Sequence, residues 1–122
     1  GERVRVVGRV DEATKHAWYA AADVFAMPSL LEGFGLPALE AMGHATPVVT
    51  SAGTATAEVV GDAGLTVDPT DVDAIAGAIT GLLADPDEAA RLGRAGRDRS
   101  TTMTWSAAAT ATADVYRQVL AT

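Results

Sequence analysis

Residues 30–40 read Leu30-Leu31-Glu32-Gly33-Phe34-Gly35-Leu36-Pro37-Ala38-Leu39-Glu40. A carboxylate precedes two glycines that bracket an aromatic, and a proline precedes a second carboxylate. Proline has its φ pre-set for the first position of a helix and lacks an N–H that would be orphaned there, so a helix is expected to start at Leu36 or Pro37. Glu40 then lies about one turn into it. The amides of Gly33, Phe34, Gly35 and Leu36 fall where the loop meets the helix N-terminus, where free N–H groups and the helix dipole favour an anion. Amides for an anion beside carboxylates for hydroxyls suit a ligand that is both phosphorylated and polyhydroxylated.

Upstream, Asp23-Val24-Phe25-Ala26-Met27 is a compact apolar run ended by Pro28, the pattern of a strand buried on both faces. A helix is expected from Asp11 to about Ala22, and before it Val4–Val7, closed by Gly8, reads as a short strand with Arg5 facing out. Downstream, Thr46–Thr50 reads as a third strand, Ser51–Gly53 as a turn, Thr54–Val60 as a short helix capped by Gly61, and Leu65–Val67 as a fourth strand. All five prolines fall at edges of these elements. Beyond Thr70 the chain is helical. Val72, Ile75, Ala76, Ile79, Leu82 and Leu83 mark one amphipathic face with Thr70 or Asp71 as N-cap, Pro86 opens a helix to about Arg99, and Trp105 to Val119 gives a last helix with one apolar stripe. Strands alternating with helices predict an α/β fold, a parallel sheet of about four strands with flanking helices, in one domain spanning residues 1–122.

Composition narrows the partners. The net charge of -7 argues against nucleic acid, which is bound through a basic footprint. Between Lys15 and Arg91 the chain has no Lys or Arg, yet that interval holds eleven of the sixteen acidic residues. A helix dipole of about half a charge compensates poorly for the roughly two charges of a diphosphate, so cations are expected from elsewhere. With no cysteine, a disulfide framework or thiolate metal site is excluded. His16 and His44 are isolated in sequence and read as structural, so neither a metal nor a cofactor is expected. No apolar run approaches the ~20 residues of a membrane span and the first residues show no signal-peptide pattern, which together point to a cytoplasmic location.

Leu30–Pro37 with Glu40, seven intervening residues after Glu32, resembles the signature of the large glycosyltransferase family with the GT-B fold (group 1, family 4-like), typically retaining enzymes with nucleotide-sugar donors. The likeness runs along nearly the whole chain: Val6-Val7-Gly8, Ala22 to Ser29, Thr46-Pro47-Val48-Val49, Glu58-Val59-Val60, Gly61 to Leu65, Val67-Asp68-Pro69 and Trp105-Ser106. It implies a Rossmann-like, partial C-terminal donor domain without its first two strands and without the acceptor domain. Carried over by position, Glu32 would face the transferred hexose, Gly33, Phe34, Gly35 and Leu36 would offer amides to sugar and diphosphate, and Glu40 would take the nucleotide ribose. A carboxylate accepting two hydroxyls makes charge-assisted bonds of ~1.5–3 kcal/mol each and selects a diol by geometry. Neither carboxylate need move a proton, so no catalytic residue is assigned.

The likeness is incomplete in ways that shape the expectations. His44-Ala45 stands where the family has Cys-Gly and Ala52-Gly53 where it has paired glycines, changes expected to loosen the phosphate contact. The implied strand order 3-2-1-4-5-6 leaves Val4–Val7 without neighbours, so it is expected to pair beside the fourth-position strand or with another copy. Self-association through Val4–Val7 or the last helix is a second expectation, and peripheral membrane docking of the parent enzyme is left open. Phe34 is expected to plug against the sheet, Glu58 to serve packing or capping, and Arg91, Arg94, Arg97 and Arg99 to form a solvated face. Two functions therefore stand: the donor-binding part of a hexosyltransferase, inactive alone, or a non-catalytic, self-associating α/β scaffold without nucleotide binding.

Overall fold

The computed structural model describes residues 3–122. Helix α1 (Glu12–Ala21) opens on Asp11, whose carboxylate accepts from the Thr14 amide at 2.7 Å. Strand β1 (Phe25–Met27) leads through the 28–35 loop into α2 (Leu36–Gly43), and β2 (Val48–Ser51) leads into α3 (Ala55–Val60) and a 3-10 turn at Gly61–Ala63. Strand β3 (Leu65–Val67) is followed by α4 (Val72–Ala84), α5 (Pro86–Ser100) and α6 (Trp105–Leu120). The cap of α4 is Asp71, accepting from Ala74, and Thr104 caps α6.

Among the described residues the sheet has three strands, not four, all parallel in the order β1-β2-β3, with Met27 opposite Thr50 and Ser51 opposite Val67. This is the fold class expected, with three consecutive strands adjacent as the 4-5-6 end of the order above requires. The strand expected at Val4–Val7 is absent: residues 4–10 carry no regular structure and Val6 is 92% exposed. A strand needs a partner for its N–H and C=O groups, and none lies beside this segment among the described residues. The sheet also corrects which strand is buried on both faces. β2 is central and wholly buried, whereas β1 is an edge whose Ala26 is exposed.

Alternation along β2 splits the interior in two. Val48 faces a cluster with Tyr19 of α1, Ala38, Ala41 and Met42 of α2, and Val59 and Val60 of α3. Val49 faces Leu82 of α4 and Leu92 of α5. Helix α5 reaches both sides because Gly93 lets it approach α2: a Cβ there would lie 2.2 Å from the Ala45 carbonyl oxygen. Arg99 at its far end donates from Nε to the Val59 carbonyl (2.7 Å) and from Nη2 to that of Glu58 (2.8 Å), closing the C-terminus of α3. Arg99 is thus not part of a solvated face. Of the other three arginines, Arg91 forks onto Glu88, and Arg94 and Arg97 are exposed. Helix α6 buries none of its residues, and its Trp105, Tyr116 and Val119 stripe is open to solvent.

The end of α2 locates one departure from the family pattern. The Thr46 amide donates to Ala41 O (3.1 Å) and the Ala45 amide to Met42 O (2.9 Å), a Schellman termination whose left-handed position is Ala45, at φ 57. Alanine there bears a strain of ~1–2 kcal/mol that glycine lacks, partly offset by the greater freedom of glycine in the unfolded chain. His44-Ala45 therefore bears on how α2 stops, at the end opposite its Gly-rich entry. Ala45→Gly is expected to raise unfolding stability by about 0.5–1 kcal/mol, read as a higher urea midpoint at unchanged slope.

Candidate functional site

In a parallel α/β sheet, ligands lie beyond the carboxyl ends of the strands, and the loop after β1 emerges at that edge. Gly35 terminates it as the N-cap of α2, with φ 97 and no side chain to cap with. An added Cβ would sit 2.0 Å from Thr56 Cγ2, so this position needs glycine both for its left-handed backbone and for the close passage of α3. Gly33 is different, with open space around it. Pro37 lies in the first turn as expected. Among the described residues the amides of Gly33, Phe34, Gly35 and Leu36 donate to no protein acceptor, while Ala38 and Leu39 already turn back to Gly35 O. Four adjacent donors are therefore free at a positive helix end.

The loop is held from below by hydroxyls that sequence reasoning passed over. Ser29 Oγ donates to Glu32 Oε1 at 2.9 Å, and Ser51 Oγ donates to the Ser29 carbonyl at 2.6 Å. Thr50 Oγ1 reaches Met27 O at 3.0 Å and the Thr56 hydroxyl at 2.9 Å, and Thr54 lies 2.6 Å from Thr56. The signal available was the run of hydroxyls at 50, 51, 54 and 56, which straddles the end of a strand where an apolar core would not place them. Glu32 is half-buried, so Ser29 leaves lone pairs of its carboxylate for a ligand. Phe34 does not plug the sheet: it is 46% exposed, and Leu30, Leu31 and Leu36 beside it are exposed too. The residue that lies against Thr56 and Met27 is Gly35, in its αL conformation, rather than Phe34.

Glu40, half-buried on the second turn of α2, faces α1. Lys15 Nζ lies 3.3 Å from its Oε1 and 3.2 Å from its Oε2, while bonding Glu12 at 2.8 and 3.0 Å. The Lys15 ammonium is raised above its ordinary value by its hydrogen bonds to Glu12 and Glu40, and Glu12 is held below its own by Lys15. Burial, with the Glu40 carboxylate second, pushes the Tyr19 hydroxyl up to about 12. One cation of this chain thus stands against a predicted site residue, which the charge count along the sequence could not locate. The structure also brings together the two histidines read as isolated: His16 Nδ1 and His44 Nε2 are 2.9 Å apart, one ring donating and the other accepting. Among the described residues no group of three or more His, Cys, Asp or Glu side chains is arranged to hold a metal. No helix there is long and apolar enough to cross a membrane. Glu58 is exposed and its carbonyl, not its carboxylate, is the capped group.

Comparison with known proteins places this geometry. Residues 1–85 match the family model described as Glycosyl transferases group 1. The chain is 42% identical to O-antigen chain mannosyltransferase B of Escherichia coli over 93% of its own length and 30% of that protein's. It is 43% identical to a glycogen synthase of Mycobacterium tuberculosis over 92% of its length and 28% of that protein's. Among solved structures, sucrose-phosphate synthase from Thermosynechococcus elongatus superposes with a TM-score of 0.87 at 42% identity, covering 99% of this chain and 31% of that one. The chain spans about 30% of the length of such relatives.

Two outcomes test the site's construction. Gly35→Ala is expected to destabilise the fold by about 2–4 kcal/mol, from αL strain plus overpacking against Thr56, whereas Gly33→Ala should change it by under ~0.5 kcal/mol; both are read by urea unfolding. Because Tyr19 is raised in the folded state, its share of stability is present below pH 10 and is lost as pH climbs from 10 towards 12. Lys15, also raised, adds a loss of the same sign above pH 10.5. Melting temperatures across pH 9–12 should show a shallower alkaline decline in Tyr19→Phe than in the parent chain.

Proposed function

The chain belongs to the group 1 glycosyl transferases, and from that premise we propose that it is the donor-binding part of a GT-B enzyme that transfers a hexose from a nucleotide diphosphate sugar. The observation carrying this reading is the set of unpartnered amides from Gly33 to Leu36 in the loop after β1, flanked in sequence by two half-buried carboxylates. In this reading the amides receive phosphate oxygens, Glu32 accepts from hydroxyls of the transferred sugar, and Glu40 accepts from the ribose diol. Each role is one of binding and orientation: a diphosphate held by preorganised donors becomes a better leaving group as negative charge develops on it. Exposed Phe34 and Leu36 at the mouth offer apolar surface to the sugar faces or to the rest of a longer enzyme.

Retention at the anomeric carbon is the stereochemical outcome that the family resemblance implies, and it is part of the proposal. The diphosphate meets amides and a helix dipole but no arginine or lysine of the 23–90 interval. Its cations are therefore assigned to the part of the enzyme outside these residues. On its own the chain is expected to bind nucleotides weakly and to transfer no sugar.

NMR titration with UDP and with GDP tests this. Resonance shifts confined to Gly33–Glu40, abolished in Glu40→Ala, are the expected result. No response to either nucleotide at millimolar concentration would overturn the donor-site reading in favour of a scaffold without nucleotide binding.

A further inference from the structure

Glu40 selects a diol by geometry only if its oxygens are held at a fixed angle, and the side chain of a glutamate in the middle of a helix has three free torsions to lose. What constrains it comes from another helix. Lys15 on α1, 25 residues away in sequence, places its ammonium 3.2 and 3.3 Å from the two Glu40 oxygens. The same ammonium lies closer, at 2.8 and 3.0 Å, to the two oxygens of Glu12. An ammonium has three protons. With two directed at the nearer carboxylate, one remains, shared between the oxygens of Glu40. A carboxylate has about four acceptor sites, so Glu40 keeps most of its accepting capacity while its orientation is set from outside. Tyr19, one turn further along α1, is the other neighbour whose hydroxyl senses the Glu40 charge.

We propose that Lys15 is a positioning residue of the donor site: tethered by Glu12, it holds the Glu40 carboxylate oriented so that a ribose diol is preferred over a 2′-deoxyribose. The proposal rests on the assignment of the ribose to Glu40. It also explains why a lone cation sits at the start of an otherwise acidic interval, on the side of Glu40 rather than beside the diphosphate loop.

The experiment compares affinities for UDP, GDP and their 2′-deoxy counterparts in the parent chain, Lys15→Met and Lys15→Arg, with thermal denaturation run on each. In Lys15→Met the ribonucleotide is expected to bind about three- to tenfold more weakly and the deoxynucleotide nearly unchanged, so that the preference collapses. Lys15→Arg, which keeps the charge, should restore much of it. A loss shared equally by both nucleotides and tracking a lowered melting temperature would overturn the proposal, because a merely structural role moves both alike. Tighter ribonucleotide binding in Lys15→Met would also overturn it, showing that the ammonium competes with the diol. If the parent chain responds to neither nucleotide, the donor-site reading falls and takes this proposal with it; if the parent chain responds and Lys15→Met keeps the same preference, only this proposal falls.

Discussion

Everything at the carboxyl edge of the sheet depends on the contact between Gly35 and Thr56. The missing Cβ lets α3 pass within van der Waals distance of the loop that starts α2, and the left-handed φ of 97 turns the chain there. Thr56 is fully buried, with its hydroxyl bonded to those of Thr50 and Thr54, so the contact also fixes α3 to the end of β2. The Gly33–Leu36 amides in that loop bond no protein acceptor among the described residues. A side chain at position 35 would displace either the loop or α3, and with it the geometry of every donor in the row.

The far end of the same helices is held by α5. Gly93 admits the Ala45 carbonyl, Arg99 takes two carbonyls at the end of α3, and Leu92 fills the space under β2. A helix that looks like a basic surface element therefore supplies the clamp that keeps α2 and α3 side by side. Helix α6 plays no such part, since its apolar stripe meets solvent throughout.

Charge is arranged with similar economy. The acidic interval between Lys15 and Arg91 supplies no lysine or arginine to the motif, so what it offers an anion there is the row of loop amides. Lys15 is already committed to Glu12 and Glu40. A diphosphate at the loop would meet dipoles without a full positive charge, which suits one half of a divided site better than a complete one.

By itself the sequence determined the α/β class, the positions of α1 to α6 to within a few residues, the start of α2 at Leu36 or Pro37, and the family. These follow from local rules: proline and glycine at element edges, capping Asp and Thr, and apolar periodicity act over a few residues and need no partner. What required distant groups was decided only by the tertiary structure. Val4–Val7 has strand composition but no neighbouring backbone to bond, so it forms no strand. Phe34 is apolar, but it is its neighbour Gly35 that lies against Thr56 and Met27, and Phe34 itself is exposed. Arg99 lies in a run of arginines yet ends against α3, and His16 and His44, 28 residues apart, meet across α1 and the end of α2. Lys15 belongs with these: its place in the chain says it is a first-turn neighbour of Glu12, and only the packing of α1 on α2 makes it a partner of Glu40. Side-chain pairing across elements depends on how helices dock, and that is settled by packing of the whole core rather than by any stretch of eleven residues.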